Sequence, residues 1–157
     1  MQSLTHAKPF IKWAGGKGQL LTQLSSLLPE TLLHNPFTYI EPFVGGGAML
    51  FYMLQAFPHI TRVVINDINP NLAQLYRQVK TRPEVLILQL RILEKQYLAL
   101  TNEADRKSYY LEARTHFNTL SSDNSDKAAL FLFLNKTCFN GLYRENSKGQ
   151  FNVPFGR

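Results

Sequence analysis

The chain has 157 residues, enough for one domain with a hydrophobic core, and 45% of them are apolar. Lysine and arginine number 17 against 11 acidic residues, and this net charge of +6 favours a polyanionic partner. No segment reaches the roughly 18 apolar residues of a membrane span. Four scattered histidines lack metal-ligand spacing, and the single cysteine, Cys138, cannot form an internal disulfide. With no apolar leader in residues 1–12, we expect a cytoplasmic protein without a membrane segment or metal site.

Short elements alternate in the first half of the sequence. Turn residues and apolar runs predict, in order, a helix over Leu20–Leu28, a strand over Thr38–Glu41, a helix over Ala48–Phe57, a strand over Arg62–Asn66 and a helix beginning at Pro70. Asn69 is the predicted cap of the last of these helices. The order β-α-β-α is typical of the opening of a doubly wound sheet.

Helical periodicity dominates the second half. Apolar residues recur at helical spacing from Leu86 to Leu100 and from Tyr109 to Leu120, and Ala128–Leu134 is apolar all round. Gly141–Val153 is predicted to form a β-hairpin, with Gly149 in the left-handed conformation at its tip. We therefore predict two parts, 1–80 and 81–157, the second being a helical subdomain with a hairpin.

The first candidate site is the segment from Lys12 to Gly18. It is not a phosphate-binding P-loop, because Ile11 stands where that motif needs glycine and Gly18 replaces the Ser or Thr that would hold magnesium. Trp13 can instead pack on an aromatic or cationic ligand, with Lys17 meeting a carboxylate. The alternative is that Trp13 only anchors the N-terminal segment to the core.

A glycine turn, Gly45–Gly47, follows the first predicted strand, and Asp67 ends the next one. A strand that turns on glycines into a helix brings backbone N–H groups to a ligand, and an acid about 20 residues later can bind a ribose. Glu41 lies close enough to reach a ligand's ammonium or hydroxyl group. Leu50 stands where a dinucleotide fold places Gly or Ala, which disfavours NAD but not other nucleosides. For Asp67 the alternative is a simple Asx turn.

The C-terminal run, 135–157, interleaves aromatic residues with cations and amides. Such a composition can stack on bases and contact phosphates, and Arg144 can pair bidentately with guanine. A plain amphipathic hairpin that covers the helical cluster is an equally good interpretation of these residues.

Together the motifs resemble those of the Dam-type DNA adenine-N6 methyltransferases. Three of them are similar to that family's cofactor-binding motifs, namely Phe10-Ile11-Lys12-Trp13-Ala14-Gly15-Gly16-Lys17, Tyr39-Ile40-Glu41-Pro42-Phe43-Val44-Gly45-Gly46-Gly47 and Asn66-Asp67-Ile68-Asn69. Two more resemble its target-recognition hairpin, namely Asn140-Gly141-Leu142-Tyr143-Arg144 and 149–157. The resemblance implies an α/β fold, a partial doubly wound (Rossmann-like) methyltransferase sheet with an inserted helical target-recognition subdomain and β-hairpin.

The same resemblance implies S-adenosylmethionine as cofactor and double-stranded DNA as partner. The implied cofactor residues are Trp13, Lys17, Glu41, Phe43, Gly45, Gly47 and Asp67. The implied DNA residues are Phe139, Asn140, Leu142, Arg144, Pro154 and Arg157, with GATC as the expected recognition sequence. A restriction-modification setting is typical of part of the family.

One family motif is missing from the 157 residues. The family transfers the methyl group with an Asp-Pro-Pro-Tyr motif that receives the flipped adenine, and no such sequence occurs here. We therefore name no catalytic residue and expect an N-terminal portion that is inactive alone, either truncated or part of a split enzyme in which a second chain supplies the rest. The alternatives are a non-catalytic DNA-binding module derived from such an enzyme and a fragment of a nucleotide-binding oxidoreductase.

Overall fold

A computed structural model describes residues 7–121 and 124–156 of the chain. The predicted DNA contact at Arg157 lies outside these residues. Within them the chain forms six α-helices, two parallel strands and three short 3-10 helices. Contacts divide it into two compact units, Met1–Ile68 and Asn69–Arg157. The predicted α/β class is confirmed.

The first unit is built around a β-α-β element. Strand β1 (Phe37–Glu41) pairs in parallel with β2 (Ile60–Ile65), and Ile40 lies opposite Val64. Helix α2 (Ala48–Ala56) connects the two strands, as parallel pairing requires. It begins after Gly47, whose φ of 82° is a left-handed conformation that favours glycine. This order agrees with the predicted one to within two residues at each boundary.

The predicted helix over Leu20–Leu28 is corrected by the structure. A 3-10 turn covers Lys17–Leu20, and only Leu21–Ser26 forms an α-helix, α1. Neither segment buries a residue. Without a buried face, a short apolar run gains too little from tertiary packing to extend into a longer helix.

Four helices form the second unit: α3 (Pro70–Thr81), α4 (Pro83–Leu98), α5 (Glu103–Thr119) and α6 (Ser125–Thr137). Helix α6 is central, with every residue of the run 128–135 buried, and each of the other three helices packs against it. Asn69 caps α3 by accepting hydrogen bonds from two backbone N–H groups, as predicted. An all-round apolar helix is the expected core of such a bundle.

The border between the two units differs from the predicted boundary near residue 80. Helix α3 packs on α4 and α6 through an apolar face that buries Leu72, Leu75 and Tyr76. It therefore belongs with the helical unit, and the border falls after Ile68. The division into 1–80 and 81–157 followed the alternating β-α pattern, which contains no information about where α3 packs.

The predicted hairpin over Gly141–Val153 is present as a short, irregular one, whose arms are joined by hydrogen bonds from the Asn146 N–H to the Gln150 carbonyl and from the Asn152 N–H to the Arg144 carbonyl. Gly149 has a φ of 71°, as predicted, but antiparallel pairing is limited to isolated bridges, one of which joins Glu145 to Phe151. Side chains of α5 bind the backbone groups of Phe151 and Val153, which point away from the opposite arm. Asn118 bonds both backbone groups of Phe151, and the Val153 carbonyl accepts from Tyr110 and another α5 side chain.

Candidate functional site

A pocket of about 250 Å³ opens in the first unit, where β1 ends and α2 begins. Six of the seven predicted cofactor residues line it: Trp13, Lys17, Glu41, Phe43, Gly45 and Asp67. The seventh, Gly47, is not among the lining residues. Its N–H donates to the Val44 carbonyl, and its own carbonyl accepts from Phe51 at the start of α2. Gly47 therefore shapes the turn instead of facing the pocket.

Glycine at position 45 allows the tryptophan segment to approach the turn closely. Gly45 has a φ of 51°, and a Cβ atom there would lie 3.1 Å from Cδ1 of Trp13. A Cβ on Gly46 would lie 3.2 Å from the Ile11 carbonyl oxygen. Trp13 is half-buried, so it both packs on the turn and contributes to the pocket wall. The two interpretations of Trp13 are therefore compatible.

Asp67 closes the other side of the glycine turn. Its Oδ2 accepts a hydrogen bond of 2.9 Å from the Gly45 N–H. Two backbone bonds beside it continue the strand pairing past the ends of β1 and β2, from Asn66 N–H to the Glu41 carbonyl and from Val44 N–H to the Asn66 carbonyl. Asn69, and not Asp67, caps the helix that follows. A half-buried carboxylate is thereby held at the rim of the pocket.

Lys17 and Glu41 pair with each other. The Lys17 Nζ lies 3.0 Å from Glu41 Oε1 and also donates to the Phe43 carbonyl at 2.6 Å. Only 6% of the Glu41 side chain is exposed, against 38% of that of Lys17. A buried carboxylate needs such a partner, because an unpaired charge in the interior is costly. The sequence predicted a ligand partner for each residue but not their mutual contact.

Tyr39 is a member of the site that the sequence interpretation missed. Its hydroxyl donates to Glu41 Oε2 at 2.8 Å. Burial, followed by the hydrogen bond to Glu41, raises the pKa of the Tyr39 hydroxyl well above its usual range. The available signal was the two-residue spacing of Tyr39 and Glu41, since alternate residues of a strand share one face.

The pocket lining has a formal charge of −1. Lys17 contributes +1, and Glu41 and Asp67 contribute −1 each, giving 1 − 2 = −1 among the lining residues. A cationic ligand with its own carboxylate complements this arrangement, because it offers charges of both signs and a net positive charge.

In the second unit the predicted DNA residues within the described chain are all exposed: Phe139, Asn140, Leu142, Arg144 and Pro154. The Phe139 N–H donates to the Pro154 carbonyl at 2.9 Å, which brings the two ends of the segment together. Asn140 has a φ of 53°, a left-handed conformation that Asn tolerates better than most residues. The buried Asn135 amide donates to the Gly141 carbonyl at 3.0 Å and holds this turn on α6.

Arg144 is oriented by Asn152, which the sequence interpretation did not single out. Its Nε donates to Asn152 Oδ1 at 2.7 Å, and its Nη2 donates to the Asn152 carbonyl at 3.2 Å. These bonds use one edge of the planar guanidinium group, which has five donors. The other N–H donors of the guanidinium group are not used by Asn152.

Tyr143 faces inward between the exposed Leu142 and Arg144. Its ring lies 5.6 Å from that of Phe131 and 5.6 Å from that of Phe151. Its hydroxyl donates to Glu145 and accepts from Asn71 Nδ2 at 2.9 Å. Burial and the bond to Glu145 raise its pKa to about 12. Side chains of this segment therefore alternate, with Leu142 and Arg144 facing solvent and Tyr143 facing the interior.

Membrane and metal features are both absent from the described residues. None of the described helices has the length and apolar character needed to cross a membrane. Across 7–121 and 124–156, no group of three or more His, Cys, Asp and Glu side chains is arranged to hold a metal ion.

Comparison with known proteins extends over most of the chain. The family model of the D12 class N6 adenine-specific DNA methyltransferases matches residues 13–157. The type II methyltransferase M.MjaIII of Methanocaldococcus jannaschii is 50% identical over 153 residues, covering 96% of this chain and 52% of the relative. The type II methyltransferase M1.LlaDCHI of Lactococcus lactis is 40% identical, covering 96% of this chain and 48% of the relative. The DNA adenine methylase of Haemophilus influenzae is 36% identical over 149 residues, covering 95% and 47%.

The chain thus spans about half the length of the curated relatives it matches. The match includes both the pocket residues of the first unit and the exposed segment of the second. This chain belongs to the D12 class N6 adenine-specific DNA methyltransferase family.

Proposed function

We propose that the first unit binds S-adenosylmethionine and that the second binds double-stranded DNA, as part of a site-specific DNA adenine-N6 methyltransferase. The observation that carries the proposal is the pocket, where Trp13, Lys17 and Asp67 line one cavity although they come from three separate motifs. A pocket at the carboxyl ends of parallel strands, next to a helix N-terminus, is the position at which doubly wound sheets bind nucleosides. The β-α-β unit is accordingly interpreted as the first part of a Rossmann-like sheet.

The residues of the pocket fit the chemistry of this cofactor. Asp67 offers a carboxylate to ribose hydroxyls, Trp13 offers an aromatic face, and Lys17 offers an ammonium group to a carboxylate. The net charge of −1 among the lining residues complements a sulfonium nucleoside, whose formal charge is +1. When bound, the cofactor supplies a methyl group on a sulfonium sulfur. The chain's own residues hold the two ends of the cofactor and so orient that group.

The exposed segment of the second unit is the proposed DNA interface. Phe139 and Leu142 are 50% and 41% exposed, so both side chains are available for contact with bases. Arg144 is pre-oriented by Asn152, so a bidentate contact with guanine costs it less conformational entropy. We propose GATC-type recognition, with a second polypeptide segment providing the residues that receive the adenine. A cytoplasmic location is part of the proposal.

Cofactor binding is testable with the chain alone. Trp13 is the only tryptophan, so its fluorescence reports directly on the pocket during titration with S-adenosylmethionine. Asp67→Asn should weaken binding about tenfold, because it removes the charge from a hydrogen bond to ribose. Glu94→Gln, an equal change at an exposed position of α4, is the matched control. Equal affinities for the two variants would contradict the role of Asp67.

DNA binding is tested separately by fluorescence anisotropy on GATC and scrambled duplexes at a fixed salt concentration. Arg144→Ala should abolish the preference for GATC. Arg91→Ala, which removes the same charge from an exposed position of α4, should weaken binding to both duplexes equally. Equal affinity of the unsubstituted chain for both duplexes would refute base reading by this segment. Selective DNA binding without any cofactor binding would instead support the non-catalytic DNA-binding module.

A further inference from the structure

A chain of hydrogen bonds leads from strand β1 into the pocket. The Tyr39 hydroxyl donates to Glu41 Oε2 at 2.8 Å, and Lys17 Nζ lies 3.0 Å from Glu41 Oε1. The Lys17 ammonium also donates to the Phe43 carbonyl at 2.6 Å. Tyr39 is not among the residues that line the pocket, whereas Lys17 and Glu41 are. Tyr39 therefore contacts the site through Glu41.

The two contacts of Lys17 leave it one donor for a ligand. A lysine ammonium has three N–H donors, and within the described residues one contacts Glu41 and one contacts Phe43. Lys17 lines the pocket and its side chain is 38% exposed, so a ligand in the pocket can reach the ammonium group. A ligand carboxylate can pair with it without displacing Glu41.

Tyr39 controls how Glu41 holds the lysine. The terminal torsion of a glutamate side chain is soft, so a carboxylate without a second partner rotates easily. Within the described residues Tyr39 is the donor that engages Glu41 Oε2. Without that bond the Glu41 carboxylate can turn both of its oxygens toward Lys17. It would then occupy the remaining N–H donor of Lys17 and shift the position of the Lys17 Nζ.

We propose that Tyr39 is a positioning residue for the end of the cofactor that bears a carboxylate, acting through Glu41 and Lys17. This inference rests on the proposed binding of S-adenosylmethionine in the same pocket. It predicts that Tyr39 affects affinity only for ligands that possess the carboxylate. The nucleoside part of the ligand faces other residues, including Asp67 and Trp13, and is independent of Tyr39.

Two ligands separate this role from general support of the fold. S-adenosylmethionine has the amino-acid end with its carboxylate, and 5′-methylthioadenosine keeps the nucleoside but lacks that whole end, including the ammonium group and the sulfonium charge. Tyr39→Phe should weaken binding of the first about tenfold and change binding of the second less than about twofold. Tyr52→Phe, at a half-buried position of α2 away from the pocket lining, should change neither.

A double-mutant cycle tests the route through Lys17. Lys17→Met removes the ammonium group and leaves the buried Glu41 carboxylate without its ion-pair partner, so the folding of this variant is checked by circular dichroism before its affinity is measured. If Tyr39 acts through Lys17, adding Tyr39→Phe to Lys17→Met should cause no further loss of S-adenosylmethionine affinity. Additive losses, or equal losses for both ligands, would overturn the inference.

The outcomes distinguish this inference from the function on which it rests. If the unsubstituted chain does not bind S-adenosylmethionine, the proposed function itself is wrong. If it binds and Tyr39→Phe binds equally well, the positioning role alone is wrong, and the pocket assignment remains.

Discussion

Gly156 is predicted to be indispensable to the exposed segment of the second unit. A Cβ atom at this position would lie 2.6 Å from the Cys138 carbonyl oxygen and 2.8 Å from its carbonyl carbon. Both are backbone atoms that cannot rotate away. The Gly156 N–H also donates to the Thr137 carbonyl at 2.9 Å, beside the bridge between Cys138 and Phe155. Alanine would therefore force two backbone segments apart.

The magnitude follows from the two effects that alanine combines. Overpacking a close contact costs about 1–3 kcal/mol, and losing the hydrogen bond to Thr137 costs about 0.5–1.5 kcal/mol. We expect Gly156→Ala to lower the free energy of unfolding by about 2–4 kcal/mol. The Phe139–Pro154 hydrogen bond lies next to this contact in sequence, so affinity for DNA should fall as well.

Two other glycines are matched controls for the same substitution. Gly149 has a φ of 71°, but a Cβ atom there would meet nothing within 4 Å, so alanine costs only the left-handed backbone strain of about 1–2 kcal/mol. Gly18 has neither a close neighbour nor a positive φ, so its substitution should be nearly neutral. The expected order of destabilisation is Gly156, Gly149, Gly18.

The measurement is urea unfolding followed by circular dichroism at the helical band, which reports mainly on the four helices of the second unit. The same variants are then compared for DNA affinity by anisotropy. A Gly156→Ala variant as stable as Gly18→Ala would refute the reasoning, because it would show that the backbone contact is not present in solution.

Three further predictions concern the second unit. Asn118→Asp keeps the acceptor for the Phe151 N–H but loses the donor to the Phe151 carbonyl. Thermal unfolding should therefore show that the free energy of unfolding falls by about 1–3 kcal/mol. An unchanged melting temperature would contradict the paired amide contact. Because the folded pKa of Tyr143 is about 12 and an unfolded tyrosine titrates near 10, its stabilisation should be complete below about pH 10 and lost as the pH rises toward 12. Melts between pH 8 and 12 should show a shallower decline for Tyr143→Phe than for the unsubstituted chain, and identical slopes would argue against this titration. Asn152→Ala removes a hydrogen bond that orients the guanidinium group of Arg144. Discrimination between GATC and scrambled duplexes should therefore fall, while the salt dependence of DNA binding stays unchanged. A changed salt dependence would mean that Asn152 affects phosphate contacts instead.

Local signals in the sequence predicted much of the secondary structure. Asn69 followed by Pro70 marked the start of α3, because an Asn cap and an N-terminal proline act within a few residues. The glycine turn predicted the start of α2, since its left-handed positions exclude most side chains. The run of apolar residues in α6 predicted a buried helix, because a helix that is apolar on every side is stable only inside a protein, and α6 does occupy the core.

Other features depended on partners that are far away in sequence. The hairpin was predicted from its turn residues, whereas Asn118, Tyr110 and Arg114 of α5 bind the Phe151 and Val153 carbonyl groups, which point away from the opposite arm. The border after Ile68 likewise follows from where α3 packs. Neither set of contacts is visible in a window of neighbouring residues.

The sequence by itself determined the family, the order β-α-β followed by helices, and which motifs contain the proposed binding residues, because these depend on residue identity and spacing. Only the tertiary structure decided that Lys17 pairs with Glu41 across 24 positions, that Tyr39 supports the pair, and that Gly47 shapes the turn without lining the pocket. The physical reason is that a buried charge takes whichever partner the fold brings within hydrogen-bonding distance, and that distance is set by the packing of separate elements.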